Sequence, residues 1–154
     1  MVILRPARHA DLQVIASWID SPAACDLWAG WRVRFPIALA TLADDIGFSE
    51  SNAFALTEAS EIVGFGQLVA KPGDRGHLGR LIVHPERRGR GLGAALATGL
   101  IDAARDRGLS RLSLNVALHN RAAAALYTKL GFTDATPPPE EPAAPDSRYL
   151  ERLV

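Results

Sequence analysis

The stretch from His77 to Val116 constrains the fold most, because three different patterns follow one another within it. His77 to Val83 reads as a strand, and Leu112, Leu114 and Val116 alternate with Ser113 and Asn115 in a second one. Between them Leu92, Ala95, Leu96, Gly99, Leu100 and Ala103 fall on one helical stripe, which Gly108 ends. Strand, amphipathic helix and strand in this order place the two strands parallel through a right-handed crossover. The helix is entered through Arg88-Gly-Arg-Gly-Leu-Gly-Ala94. Glycines let the backbone turn tightly and approach a ligand, and the N–H groups and positive dipole of a helix start favour a phosphate.

The strands before this unit are differently connected. Ala53 to Thr57, Ile62 to Ala70 and His77 to Val83 are separated by Glu58-Ala-Ser-Glu61 and Lys71-Pro-Gly-Asp-Arg-Gly76, which are hairpin-type links. An antiparallel meander is expected. Val2 to Arg5 reads as a first strand, and Leu12, Ile15, Ala16 and Ile19 fall at helical spacing after it. From Ser21 to Pro36 no period persists, so an irregular substrate-side loop is expected there, with a helix from Pro36 towards Asp45. Asn120 suits the cap of a helix through Tyr127 and Leu130, with Gly131 as its stop and Phe132 opening a strand. Residues 137 to 147 form a proline-rich loop, and Tyr149 to Val154 reads as a closing strand. The expected fold is α+β: a mixed, mostly antiparallel central sheet flanked by about four helices in a single domain spanning residues 1–154.

Seventeen Lys and Arg against seventeen Asp and Glu leave no net charge, which argues against a broad nucleic-acid or anionic-membrane surface. The balance conceals an asymmetry: residues 1–70 carry four basic and eight acidic side chains, the remainder thirteen and nine. Glu58, Glu61, Asp44 and Asp45 in the acidic half are either solvated surface or an attraction for a cationic acceptor. Cys25 is the only cysteine, so no internal disulfide forms and a reducing compartment fits. The N-terminus has no signal-peptide pattern and no apolar run reaches membrane-spanning length, so a cytoplasmic location is expected. No cluster of His, Cys and carboxylates has metal-ligand spacing, and no metal is expected.

Three kinds of phosphate loop compete for Arg88 to Ala94. A Walker A loop needs Gly-Lys followed by Ser or Thr, and Leu92-Gly-Ala94 has neither. Gly89-x-Gly91-x-x-Ala94 matches a loose dinucleotide fingerprint, but Asn115-Val-Ala-Leu-His119 lacks the acidic residue that fingerprint wants at the next strand end. The third pattern fits: Arg88-x-x-Gly91-x-Gly93 resembles the Gln/Arg-x-x-Gly-x-Gly/Ala pyrophosphate motif of the GNAT N-acetyltransferase superfamily. Downstream, Asn120-x-x-Ala123-x-x-x-Tyr127-x-x-x-Gly131-Phe132 is similar to that family's second signature, and element order agrees along nearly the whole chain.

The resemblance implies a GNAT-like sheet and an N-acetyltransferase that moves an acetyl group from acetyl-CoA to a primary amine by direct attack. It implies that backbone N–H groups of Arg88, Gly89, Arg90, Gly91, Leu92, Gly93 and Ala94 hold the CoA pyrophosphate. Main-chain groups of Leu81, Ile82 and Val83 would flank pantetheine, with the Val83 N–H as oxyanion donor, and Asn115, Asn120 and Tyr127 would complete the cofactor set. It also implies that the strands matching His77 to Val83 and Arg111 to Ala117 splay apart. Arg87, Arg88 and Arg90 are candidates for added ionic contacts.

Direct aminolysis requires a neutral amine, donors for the developing oxyanion and a proton source for the thiolate. Tyr127 matches the family tyrosine and is the candidate acid, its other reading being a helix aromatic packed on the core. His77 is the candidate base, since imidazole titrates near neutral pH; its other reading is an exposed strand-end residue. A strand histidine holds the corresponding place in arylalkylamine N-acetyltransferases, whose second strand histidine is replaced here by Gly79, which leaves one histidine, a water relay or a different base altogether. Trp28, Trp31 and Phe35 either line the acceptor cleft or lid the core. The acceptor is a small-molecule or protein amine, and a homodimer is compatible with the sequence. A non-catalytic acetyl-CoA sensor is the alternative.

Overall fold

The computed structural model describes residues 1–141 and 144–154. Residues 142 and 143, inside the expected proline-rich loop, lie outside the described residues. The strands are β1 (Val2–Pro6), β2 (Ala53–Glu58), β3 (Glu61–Lys71), β4 (Arg75–Val83), β5 (Arg111–Ala117), β6 (Thr133–Asp134) and β7 (Ser147–Leu153). They lie in one mixed sheet in the order β1-β2-β3-β4-β5-β7-β6. The helices are α1 (Asp11–Ser17), α2 (Pro22–Ala29), α3 (Leu39–Asp45), α4 (Leu92–Asp106) and α5 (Arg121–Lys129).

Among the described residues five α-helices stand where about four are expected, and the additional one is α2, inside the segment expected to be irregular. Its start is locally encoded. Ser21 has extended backbone and its Oγ accepts the Ala24 N–H at 3.0 Å, while Pro22 occupies the first turn, where a missing N–H costs nothing. Cys25 and Trp28 face inward from it. α3 begins at Leu39, three residues after Pro36, and α1 stops at Ser17, short of Ile19.

The chain divides into two compact units. The first comprises Met1–Gln67 and Arg80–Ala97. In it β1 pairs antiparallel with β2, and β2 antiparallel with β3. α1, α2 and α3 contribute Ile15, Trp28 and Leu42 to a core completed by Val33, Ala55 and Phe65. Ile15, Leu42 and Phe65 are completely shielded, and each such side chain contributes about 1.5–3 kcal/mol on burial.

The second unit comprises Leu68–Gly79 and Thr98–Val154. β5 pairs antiparallel with β7 along its whole length, and β6 pairs with β7. β4 runs parallel to β5, with Arg75, Gly76, His77 and Leu78 opposite Arg111, Leu112, Ser113 and Leu114. Among the described residues this ladder ends at Leu78 and Leu114, although β4 continues to Val83 and β5 to Ala117. Leu100, Leu112, Leu114 and Leu150 are shielded within this unit, and Phe132 with them.

Candidate active site

In the first unit the predicted cofactor residues follow one another from the end of β4 into α4. Burial alternates along β4 up to Leu78, and from Gly79 to Val83 every residue is half-buried. Arg80 marks the change, because it holds a left-handed backbone at φ 51°. Beyond it Ile82 packs against the core of this unit, and the His84 N–H donates to the Val63 carbonyl at 2.8 Å. His84 Nδ1 accepts from the Glu86 N–H at 3.1 Å, capping a short 3-10 turn over Pro85–Arg87.

The glycine loop comes next. Gly89 and Gly91 both sit at φ 80°, and a Cβ at either would meet nothing within 4 Å. Backbone conformation, not crowding, therefore requires glycine at both positions. α4 opens at Leu92, and its first bond in this turn runs from the Ala95 N–H to the Gly91 carbonyl at 3.1 Å. The preceding N–H groups of Leu92, Gly93 and Ala94 are those a helix start leaves without intrahelical partners. A turn of this kind, built from exposed Arg88 to Gly91 and leading into a helix of fifteen residues, fits a pyrophosphate.

The arginines around it divide their tasks. Arg87 pairs with Glu58 at 3.5 Å and with Glu61, one guanidinium shared by two carboxylates, which turns it away from the glycine loop. Arg88 Nε donates to the Val83 carbonyl at 3.3 Å, tying the loop to the end of β4, and Arg90 is exposed. An open cleft of about 820 Å³ in this unit is lined by Trp18, Ile62, His84 and Arg87 among others and, Arg87 apart, by none of the residues expected to meet CoA.

The aromatic trio of the first unit separates. Trp28 is buried, and its indole Nε1 donates to the Arg80 carbonyl at 2.9 Å. Phe35 packs against the same core, whereas Trp31 is 82% exposed with the Arg32 guanidinium 4.9 Å from its ring centre.

In the second unit the parallel register sets His77 beside Ser113. His77 Nδ1 and Ser113 Oγ are 2.8 Å apart, and the His77 ring stacks on Tyr149 at 6.4 Å between centres and 20° between planes. Ser113 is shielded and its Oγ reaches the Gly76 carbonyl at 3.5 Å. His77 is half-buried within β4, which removes the exposed strand-end alternative. Tyr149 is buried, and its hydroxyl oxygen has no hydrogen-bond partner among the described residues. Asn115 is exposed on β5, opposite Tyr149.

Tyr127 lies on α5 and is buried, edge-on to Phe132 at 5.8 Å. Desolvation pushes its phenol up to about 12, so the proton stays on the oxygen through neutral pH. Asn120 caps α5, its Oδ1 accepting the Ala123 N–H at 3.3 Å. Ser113 and Tyr149 contact His77, and Arg80 immediately precedes Leu81 in β4; none of the three is singled out by the sequence alone. Ser113 was legible as a polar residue at the strand period; Tyr149 and Arg80 gave no local signal.

The Acetyltransferase (GNAT) family matches residues 20–132, a span that holds both motifs. The chain belongs to this family. Over 125 residues it is 36% identical to the ribosomal protein bS18-alanine N-acetyltransferase of Escherichia coli (strain K12), covering 77% of this chain and 82% of that one. The crystal structure of the ribosomal-protein-S18-alanine N-acetyltransferase from Escherichia coli superimposes with a TM-score of 0.72 at 27% identity, over 100% of this chain and 94% of that one. Spermidine N-acetyltransferase from Vibrio cholerae, in complex with CoA and spermine, gives a TM-score of 0.77 over 99% and 95% of the chains; at 20% identity the likeness is one of fold. The GNAT fold expected from the motifs is the fold observed, and the chain is an acyl-CoA-dependent N-acyltransferase acting on an amine. Among the described residues no helix is long and apolar enough to cross a membrane.

Proposed function

We propose that residues 1–154 act as one catalytic domain that transfers the acetyl group of acetyl-CoA to a primary amine by direct attack, without a covalent enzyme intermediate. The observation that supports this most is the turn at Gly89 and Gly91, two left-handed glycines leading into α4, in a chain of the GNAT family. Acetyl-CoA supplies the activated acetyl group as a thioester. The N–H groups from Arg88 to Ala94 hold its pyrophosphate, and the backbone of Leu81, Ile82 and Val83 aligns the pantetheine arm. The Val83 N–H donates to the thioester carbonyl oxygen. Asn115 and Asn120 contribute polar contacts to the same ligand.

His77 takes the proton that the ammonium must lose before it attacks, directly or through water. Its bond to Ser113 and its stacking on Tyr149 fix the ring plane. Tyr127 gives its proton to the departing thiolate; its raised pKa keeps that proton in place until the thiolate forms.

The acceptor is a primary amine of a small molecule or of a protein, the latter in keeping with the alanine N-acetyltransferases among the relatives. A thiol-release screen with acetyl-CoA over polyamines, amino acids, aminoglycosides, arylalkylamines and alanine-starting peptides tests the reading. At least one class should gain a single acetyl group on its amine by mass spectrometry. Acetyl-CoA binding with no amine acetylated would favour a sensor instead.

A further inference from the structure

Within the first unit, Arg80 is a cation without a counter-charge. Its Nη1 donates to Gln67 Oε1 at 2.9 Å, and its Nε is buried with no hydrogen-bond partner. No hydrogen bond from its Nη2, and no carboxylate within ion-pair distance of the guanidinium, occurs among the described residues. The charge that acts on it is Arg32, a like charge; desolvation first and Arg32 second pull its pKa below the usual arginine value. Burying a cation in this way is costly unless something pairs with it.

Two neighbours, Gln67 and Trp28, hold Arg80 in this position. Gln67 is fully buried and its Nε2 is engaged by the Ile46 carbonyl at 3.1 Å and Asn52 Oδ1 at 3.4 Å, so its Oε1 is presented to Arg80. The Trp28 indole grips the Arg80 carbonyl, and the backbone there is left-handed, a conformation a non-glycine residue adopts only when its surroundings impose it. With Nη1 spent on Gln67, the edge left over is the one formed by Nε and Nη2. Those two N–H groups point the same way and match the two oxygens of a carboxylate.

We propose that the Nε and Nη2 edge of Arg80, with Arg32 adding positive charge, receives a carboxylate carried by the acceptor amine. The acceptor is then an amino acid, or a peptide whose amine lies close to an acidic group. Arg80 immediately precedes Leu81 to Val83, the segment assigned to pantetheine, so the carboxylate is bound next to where the amine must react. Glu58 and Glu61, the acidic residues otherwise suited to a cationic acceptor, are already paired with Arg87. The assignment rests on the acetyltransferase reading for its meaning, but its test does not depend on turnover.

The test uses the full chain saturated with CoA and a panel of N-acetyl amino acids with their matching amides, read by saturation-transfer difference NMR and titration. N-acetyl-Ala-Glu amide and N-acetyl-Ala-Gln amide form a second pair, which separates a free amino acid from an acidic peptide as the source. The carboxylate member of one pair should bind roughly 10- to 100-fold more tightly, and Arg80→Gln should abolish the difference. Should Arg80→Gln fail to fold, phenylglyoxal labelling of the wild type replaces it: carboxylate probes should protect Arg80 and amides should not. Equal binding of acids and amides, no binding of either, or a preference that survives Arg80→Gln overturns the proposal. Acetylation of amines without a carboxylate preference would leave the transferase reading intact, whereas carboxylate binding without any acetylation would leave only the anion site.

Discussion

His77 Nδ1 lies 2.8 Å from Ser113 Oγ, across a parallel ladder that joins strands 36 residues apart in sequence. If this imidazole is the base, His77→Gln should remove or displace the acidic limb of the kcat/KM profile and lower the rate by about 100-fold or more. Ser113→Ala should cost less, about tenfold, because it loosens the ring without removing it. An unaltered profile in His77→Gln would assign the proton to water or another group.

Tyr127 should behave as an acid that never ionises under working conditions. Its burial pushes the phenol up to about 12, so the alkaline side of the profile should show no limb at the ordinary tyrosine value of about 10. Tyr127→Phe should lower kcat by about 10² to 10⁴ while changing acetyl-CoA affinity less than about threefold. Wild-type turnover in that variant would remove Tyr127 from the mechanism and leave it a packing residue against Phe132.

The start of α1 carries a stability prediction. Burial alone would raise the Asp11 carboxyl, but two bonds from Arg5, at 2.8 and 3.1 Å, and one from the Arg8 N–H at 2.8 Å more than offset it and hold it below the usual carboxylate value. A carboxyl depressed in the folded state stabilises above its unfolded pKa and loses that contribution as pH falls through the folded value. Asp11→Asn should therefore cost about 1–3 kcal/mol at neutral pH. That corresponds to roughly 2–4 °C in Tm per kcal/mol, with the gap to wild type narrowing on acidification below about pH 4. A gap that does not change with pH would mean that charge at Asp11 contributes nothing.

What was legible in the sequence was what is encoded locally. The Asn120 cap, the Gly108 and Gly131 stops and the strands β2 to β5 need only neighbours a few residues away, and all of them appear in the structure. α2 escaped notice because its buried pair, Cys25 and Trp28, is too sparse to make a period, although Ser21 and Pro22 together signal a helix start. The partners of His77 could not be read, since Ser113 and Tyr149 reach it only through the register of β5 with β4 and β7. Arg80 was hidden for the same reason: its left-handed backbone and its bond to Gln67 are imposed by tertiary contacts with Trp28 and the segment around Ile46. The ion pairs of Arg87 with Glu58 and Glu61 could not be read either, because they join residues 29 and 26 apart in sequence.

The claim on which the account depends is that the turn at Gly89 and Gly91 holds acetyl-CoA. Gly91 sits at φ 80°, where any other side chain is strained, and a glutamate there would also set a negative charge at the start of α4 facing the pyrophosphate. Isothermal titration of acetyl-CoA into the wild type and Gly91→Glu, with Tm recorded for both, tests this directly. The wild type should bind one acetyl-CoA per chain, and Gly91→Glu should weaken binding at least about 100-fold, some 2.7 kcal/mol, with the fold retained. Equal binding by the two proteins, or no binding by the wild type, would contradict the account.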